Sequence, residues 1–163
     1  MKQITPFLWF DDNAEEAVNF YTSVFKNSKI ETVTRYDEAA AKATGRVKGS
    51  MMTAAFQLNG QEFVALNGGP QFKFTEAVSF VINCENQKEV DYYWEKLTDG
   101  ADARAQQCGW LKDKFGLSWQ VVPTILSKLL SDKNAKKSQN VMMAMLQMKK
   151  MDIAALEKAH AEG

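Results

Sequence analysis

Imidazole chemistry is almost missing from this chain. Its single histidine, His160, lies near the C-terminal end, whereas zincin helices, cysteine–histidine pairs and Ser-His-Asp triads each need an imidazole within the body of the fold. The two cysteines, Cys84 and Cys108, are too far apart for a C-x-x-C redox motif and too few for a disulfide framework, which points to reduced thiols in the cytoplasm. Without a histidine or other nearby base, Cys108 reads first as a small buried hydrophobe and only second as a contact for a bound molecule. Asp11 and Asp12 are adjacent carboxylates, but they immediately precede a helix start, where negative charge complements the helix dipole. The only glycine pair, Gly68-Gly69, is followed by Pro70 and aromatic residues rather than by a helix, so it reads as a linker instead of a nucleotide cradle.

Charge and length narrow the classes further. Twenty basic and twenty acidic residues cancel, leaving no electrostatic footprint for nucleic acid or anionic lipid. The apolar run 6–10 stops at Asp11 and Asp12 and is too short for a signal peptide or a membrane helix. A chain of 163 residues, 45% of them hydrophobic, can bury roughly 70% of its unfolded surface and needs no metal or disulfide to fold.

The elements that must position any site come from a duplication, visible when residue n is set against n+73. Residues 7–16 fall on 80–89, and each segment reads as a short buried strand followed by a helix start. Asn13 with Glu16, and Asn86 with Glu89, are matching N-x-x-E capping signatures. Behind them Ala17, Phe20, Tyr21 and Val24 fall on Val90, Tyr93, Trp94 and Leu97, an i, i+3, i+4, i+7 stripe in both helices.

Each half then closes with a hairpin: 51–58 and 62–66 flank Asn59-Gly60, and 108–112 and 117–122 flank 113–116. Setting Gly60 against Gly116 matches Phe63 with Trp119 and Val64 with Gln120, and the second turn is expected to set Trp110 opposite Trp119. Residues 30–36 alternate as a strand, so each half reads β-α-β-β-β, although the second half's counterpart near 101–107 is weak. Segment 37–50 is either a short exposed helix or a flap. After Pro123 the pattern turns helical, over 124–130, about 139–151, and 153–161 with Asp152 as N-cap.

Paired modules with helices of the form E-E-A-V-N-F-Y-T-S-V-F resemble the vicinal oxygen chelate superfamily of glyoxalases, bleomycin-resistance proteins and extradiol dioxygenases. Within it, residues 6–17, 65–70, 108–123 and 141–150 resemble the PhnB-like family, often labelled 3-demethylubiquinone-9 3-methyltransferase. The run D-K-F-G-L-S-W-Q, 113–120, is the most specific part of the likeness. The resemblance implies an α+β fold of two paired β-α-β-β-β modules, about 1–70 and 71–123, forming one domain over 1–123, with a helical extension over 124–163. It also implies a homodimer, and, in the superfamily's active members, a divalent metal held by His and Glu from the first and last strands of each module. Here those positions fall near Pro6, Ser79, Val64 and Gln120, and none is His, Asp or Glu.

The expected function is therefore metal-independent binding of a small organic molecule by a largely apolar cleft, with no cofactor and no nucleic-acid or membrane partner. Ser79 and Gln120 are the polar candidates at the former metal positions. Trp110, Cys108 and Trp9 are the other candidate contacts, with core packing the ordinary role for strand tryptophans. The alternatives are a methyltransferase acting on an aromatic or quinone substrate with S-adenosylmethionine, and a dimeric interaction protein with no ligand.

Overall fold

Asn59 and Gly60 adopt positive φ angles of 48° and 83°, the two-residue turn whose twist suits a tight hairpin. It joins β3 (Met51–Leu58) to β4 (Gln61–Asn67), paired antiparallel with Phe56 opposite Phe63. The computed structural model, which describes residues 4–163, builds its first unit, ending at Lys73, around this hairpin. Strand β1 (Phe7–Phe10) lies parallel to β4, and β2 (Lys29–Arg35) antiparallel to β3, giving the order β1-β4-β3-β2.

Helix α1 (Ala14–Val24) covers one face of that sheet with Ala14, Ala17, Val18, Tyr21 and Val24; of the expected stripe only Phe20 is left half-buried, with Ala14 and Val18 completing the face. It ends where Phe25 turns to extended backbone. Segment 37–50 contains a short helix, α2 (Glu38–Thr44), capped by Asp37. Strand β2 is exposed along its whole length, and Lys29, Glu31 and Arg35 guard it against pairing with another edge.

One expectation fails in this unit. Asn13 precedes α1 but its side chain caps nothing; the first helical N–H, that of Ala14, donates to Asn67 Oδ1 at 2.8 Å from the end of β4. Asn67 Nδ2 donates to the Met51 carbonyl at 3.0 Å, and Tyr36 donates its hydroxyl proton to the Asn67 carbonyl at 2.6 Å. One buried asparagine thus ties together the helix, the hairpin and the residue that follows β2.

The second unit begins at Phe74. Strand β5 (Phe80–Cys84) leads into α3 (Gln87–Thr98), where Asn86 accepts from the Glu89 N–H at 3.1 Å as the sequence predicts. Strands β6 (Trp110–Lys112) and β7 (Ser118–Pro123) complete a sheet of order β5-β7-β6, with β5 parallel to β7. The weak strand expected near 101–107 is instead a 3₁₀ turn, Ala103–Ala105, followed by a single bridge between Gln107 and Trp110. Asp102 organises that turn by accepting from the Arg104 N–H, a local alternative that competes with strand pairing.

Trp110 does not face Trp119; it pairs with Gln120, and Leu111 pairs with Trp119. Asp113 and Leu117 close the turn through a 2.9 Å backbone bond, which moves the register by one residue and turns each β6 side chain to the other face.

The helices after Pro123 belong to this second unit. They are α4 (Ile125–Leu130), α5 (Ala135–Leu146, both starting, under an Asn134 cap, and ending earlier than the expected 139–151) and α6 (Ile153–Ala161, capped by Asp152). The α5–α6 connector is fastened to the unit's body. Met148 and Lys149 carbonyls accept from Cys108 and Gly109 at 2.8 and 2.7 Å. The Gln87 amide holds Met151 O at 3.1 Å and Ile153 N at 2.9 Å, and Lys150 pairs with Asp91.

Candidate functional site

In each unit helices cover one sheet face and leave the other free for side chains that the core does not consume. In the first unit this face carries Phe7 and Trp9 from β1 beside Val64 and Leu66 from β4, with Ala55 and Thr53 following across β3. Phe7 is 58% exposed while its strand neighbours Leu8 and Phe10 are buried. The indole of Trp9 donates to the Gly69 carbonyl at 2.9 Å and meets Phe72 edge to face at 5.0 Å.

In the second unit the face carries Trp110, Gln120 and Val81 in one cross-strand row. Val81 is 51% exposed. The Gln120 Nε2 donates to Ser79 Oγ at 2.9 Å, a half-buried amide–hydroxyl pair. Beside it Lys112 pairs with Glu76 and holds that carboxyl below its usual range.

Three sequence candidates, Ser79, Gln120 and Trp110, are therefore brought onto one face. Trp9 sits on the corresponding face of the other unit. Cys108 lies before β6 in a left-handed turn (φ 51°) whose amide is tied to Met148. The other thiol, Cys84, is fully buried, and burial, with Glu89 and Glu85 adding repulsion, pushes its pKa up to about 12.

The register refines the positions at which a superfamily metal would be held. Beside Val64 on the open face stands Phe7, and beside Gln120 stands Val81; Pro6 and Ser79 come one or two residues too early. The helices match under the 73-residue shift, but the first strands match one residue later. A set of three hydrocarbons and one neutral amide does not fit a divalent metal, and among the described residues no three His, Cys, Asp or Glu side chains cluster as ligands. An adenosyl cofactor fits no better at the glycine pair. A Cβ on Gly68 would lie 2.3 Å from the Trp9 ring, and one on Gly69 would lie 2.1 Å from the Arg46 guanidinium. Those glycines make room for the chain's own side chains.

The residues that sequence reasoning missed are polar and buried. Asp113 Oδ1 accepts from the Phe115 and Leu117 N–H groups at 2.9 and 3.0 Å, and Oδ2 from the Trp119 indole at 2.8 Å. The most specific motif of the chain is thus in large part a turn lock. An Asp two residues before an aromatic-glycine turn carries an Asx-turn signal that could have disclosed it. Asn67 carried no such local signal.

Two units built on strand–helix–hairpin modules, each with one covered and one open sheet face, have the fold of solved glyoxalase/bleomycin-resistance/dioxygenase domains. The sequence pattern of the 3-demethylubiquinone-9 3-methyltransferase family matches residues 2–122, and the chain belongs to that family. A Bacillus cereus protein described as a 3-demethylubiquinone-9 3-methyltransferase, PhnB, is 38% identical over 76% of this chain and 100% of its own, with a TM-score of 0.66. A Pseudomonas aeruginosa protein shares the fold at 19% identity, 76% and 98% coverage and a TM-score of 0.59. The fosfomycin resistance protein FosX of Listeria monocytogenes does so at 16% identity, 80% and 98% coverage and a TM-score of 0.53. No curated protein matches the chain. No helix among the described residues is long and apolar enough to cross a membrane.

Proposed function

We propose that this chain is a metal-independent binder of a small organic molecule, held on the open sheet face around Ser79, Gln120 and Trp110. The observation that carries the reading is the amide–hydroxyl pair of Gln120 and Ser79, set in one row with an indole and a half-exposed valine. Such a face offers a few placed polar groups amid apolar surface, the composition of a small-molecule site. The open face of the first unit, with Trp9, Phe7, Val64 and Leu66, is a more apolar counterpart. Two free cysteines fit a reducing, cytoplasmic setting.

A second copy of the chain is the proposed partner. Met142, Met143 and Leu146 on α5 remain 40%, 55% and 44% exposed, an apolar strip that a homodimer would cover.

Native mass spectrometry of freshly purified protein, with elemental analysis, tests the function. A co-purifying organic molecule without stoichiometric metal supports it. A retained adenosyl cofactor would replace it with the methyltransferase reading, and one tightly held metal per chain would overturn it.

A further inference from the structure

Alternation along β4 buries Phe63, Ala65 and Asn67 on its covered side and leaves Glu62, Val64 and Leu66 half-buried on the open face of the first unit. Phe7 stands beside Val64 and Trp9 beside Leu66, so Glu62 is a diagonal neighbour of Phe7, a separation that long side chains span. On the other flank β3 sets Gln57 opposite Glu62, Ala55 opposite Val64 and Thr53 opposite Leu66. Large rings on one side of β4 and short side chains on the other make a trough with an aromatic wall and a carboxylate towards one end.

No described residue donates to the Glu62 carboxylate. Gln57 gives its amide to Glu31 at 2.9 Å, and Lys29, opposite Gln57, pairs with the same Glu31 at 3.0 Å. Lys29 and Glu31 cancel, so Glu62 sets the sign of this end of the face. Water can answer the carboxylate, but it does not answer the ring next to it: Phe7 is 58% exposed. A carboxylate beside an exposed ring suits an organic ammonium ion, which the first attracts by charge and the second through its quadrupole. We propose that the open face of the first unit binds an amine, with its ammonium group at Glu62 and Phe7 and its apolar body along Val64 and Leu66 against Trp9. This site goes beyond the one around Gln120 and does not depend on it.

Phenethylammonium, phenethyl alcohol and phenylacetate carry one aromatic body with a positive, a neutral and a negative head. Each is titrated into the full chain and into Glu62→Gln at low salt, where a half-exposed charge is least screened, with the Trp9 and Trp110 indole resonances followed by NMR. Read at Trp9, the wild type is expected to bind the ammonium about fivefold tighter than the alcohol, the surplus of a charge-assisted hydrogen bond over a neutral one, and phenylacetate most weakly. Glu62→Gln should bind the ammonium and the alcohol alike, keep the alcohol affinity, and unfold at the wild-type urea midpoint. A preference for the ammonium that survives in Glu62→Gln overturns the assignment. So does equal binding of ammonium and alcohol by the wild type, or tighter binding of phenylacetate. A lowered midpoint in Glu62→Gln would give the carboxylate a structural partner and overturn it too. If the probes shift Trp110 and leave Trp9 unmoved, the amine site falls while the site proposed around Gln120 stands; if they shift neither, the amine site falls.

Discussion

The second hairpin should come unpinned in Asp113→Ala. Asp113 is 4% exposed, and its carboxylate accepts from the Phe115 and Leu117 amides and the Trp119 indole. Removing it leaves the Leu117 and Trp119 donors in residues that are each 3% exposed, where water cannot take over. Half-buried Phe115 can turn its N–H to solvent. Two stranded donors at ~1–3 kcal/mol each put the loss near 3 kcal/mol, a large part of the ~5–15 kcal/mol that holds an ordinary domain. With a urea slope of ~2 kcal/mol/M, the unfolding midpoint should fall by roughly 1.5 M. Asp113→Asn should lose about half as much, because one carbonyl oxygen still serves the backbone pair while the new amide opposes the indole N–H. Urea unfolding supplies the midpoints, and the Trp119 indole proton resonance reports the local bond. A midpoint for Asp113→Ala within about 0.3 M of wild type, with that resonance unmoved, would refute the turn lock.

Asn67→Ala should cost about 2 kcal/mol, because it strands the Ala14 N–H in a buried place, whereas Asn13→Ala should cost under about 0.5 kcal/mol and Asn86→Ala about 1 kcal/mol; equal losses at 13 and 67 in urea unfolding would contradict the observed cap. Asp91 is held below its usual pKa by Lys150 and then Gln87, so its contribution is complete above the ordinary carboxylate range and is lost as pH falls through the lowered value. The midpoint difference between wild type and Asp91→Asn should therefore shrink from about pH 6 to pH 3, and a constant difference would deny the link. Native protein treated with iodoacetamide near pH 8 should be alkylated at Cys108 and spared at Cys84, as peptide mass mapping will show; labelling at Cys84 first would contradict its burial. Light scattering at micromolar concentration should give a dimer for the wild type and a smaller mass for Met143→Glu with Leu146→Lys; a wild-type monomer would refute the dimer.

Short-range patterns carried most of the fold. The Asn59-Gly60 turn, the helical stripe ending at Val24 and Leu97, and the Asn86 and Asp152 caps are all decided within a few residues. What escaped sequence reasoning depended on distance or on one-residue phase. The α1 cap comes from Asn67, 53 residues away, and the repeat shift that aligns the helices misaligns the first strands by one. In a strand one residue is the difference between the two faces, so Trp110 went to the wrong partner and Phe7 and Val81 went unnoticed. Two separate anchors, helix and hairpin, led to Ser79 and Gln120, and the contact of these two at 2.9 Å is one that needs no exact phase.

The fastening of the α5–α6 connector sets an order of events during synthesis. Every described strand pairing of the first unit lies within residues 7–67, so its sheet needs no residue of the second unit. The second unit has no such freedom: the Cys108 and Gly109 amides find their acceptors only at Met148 and Lys149. At ~5–20 residues per second, that separation keeps the β6 turn waiting for about 2–8 s. Throughout that time the place beside Gly109 that the buried Met151 side chain will fill stays empty, so the second unit closes its core last.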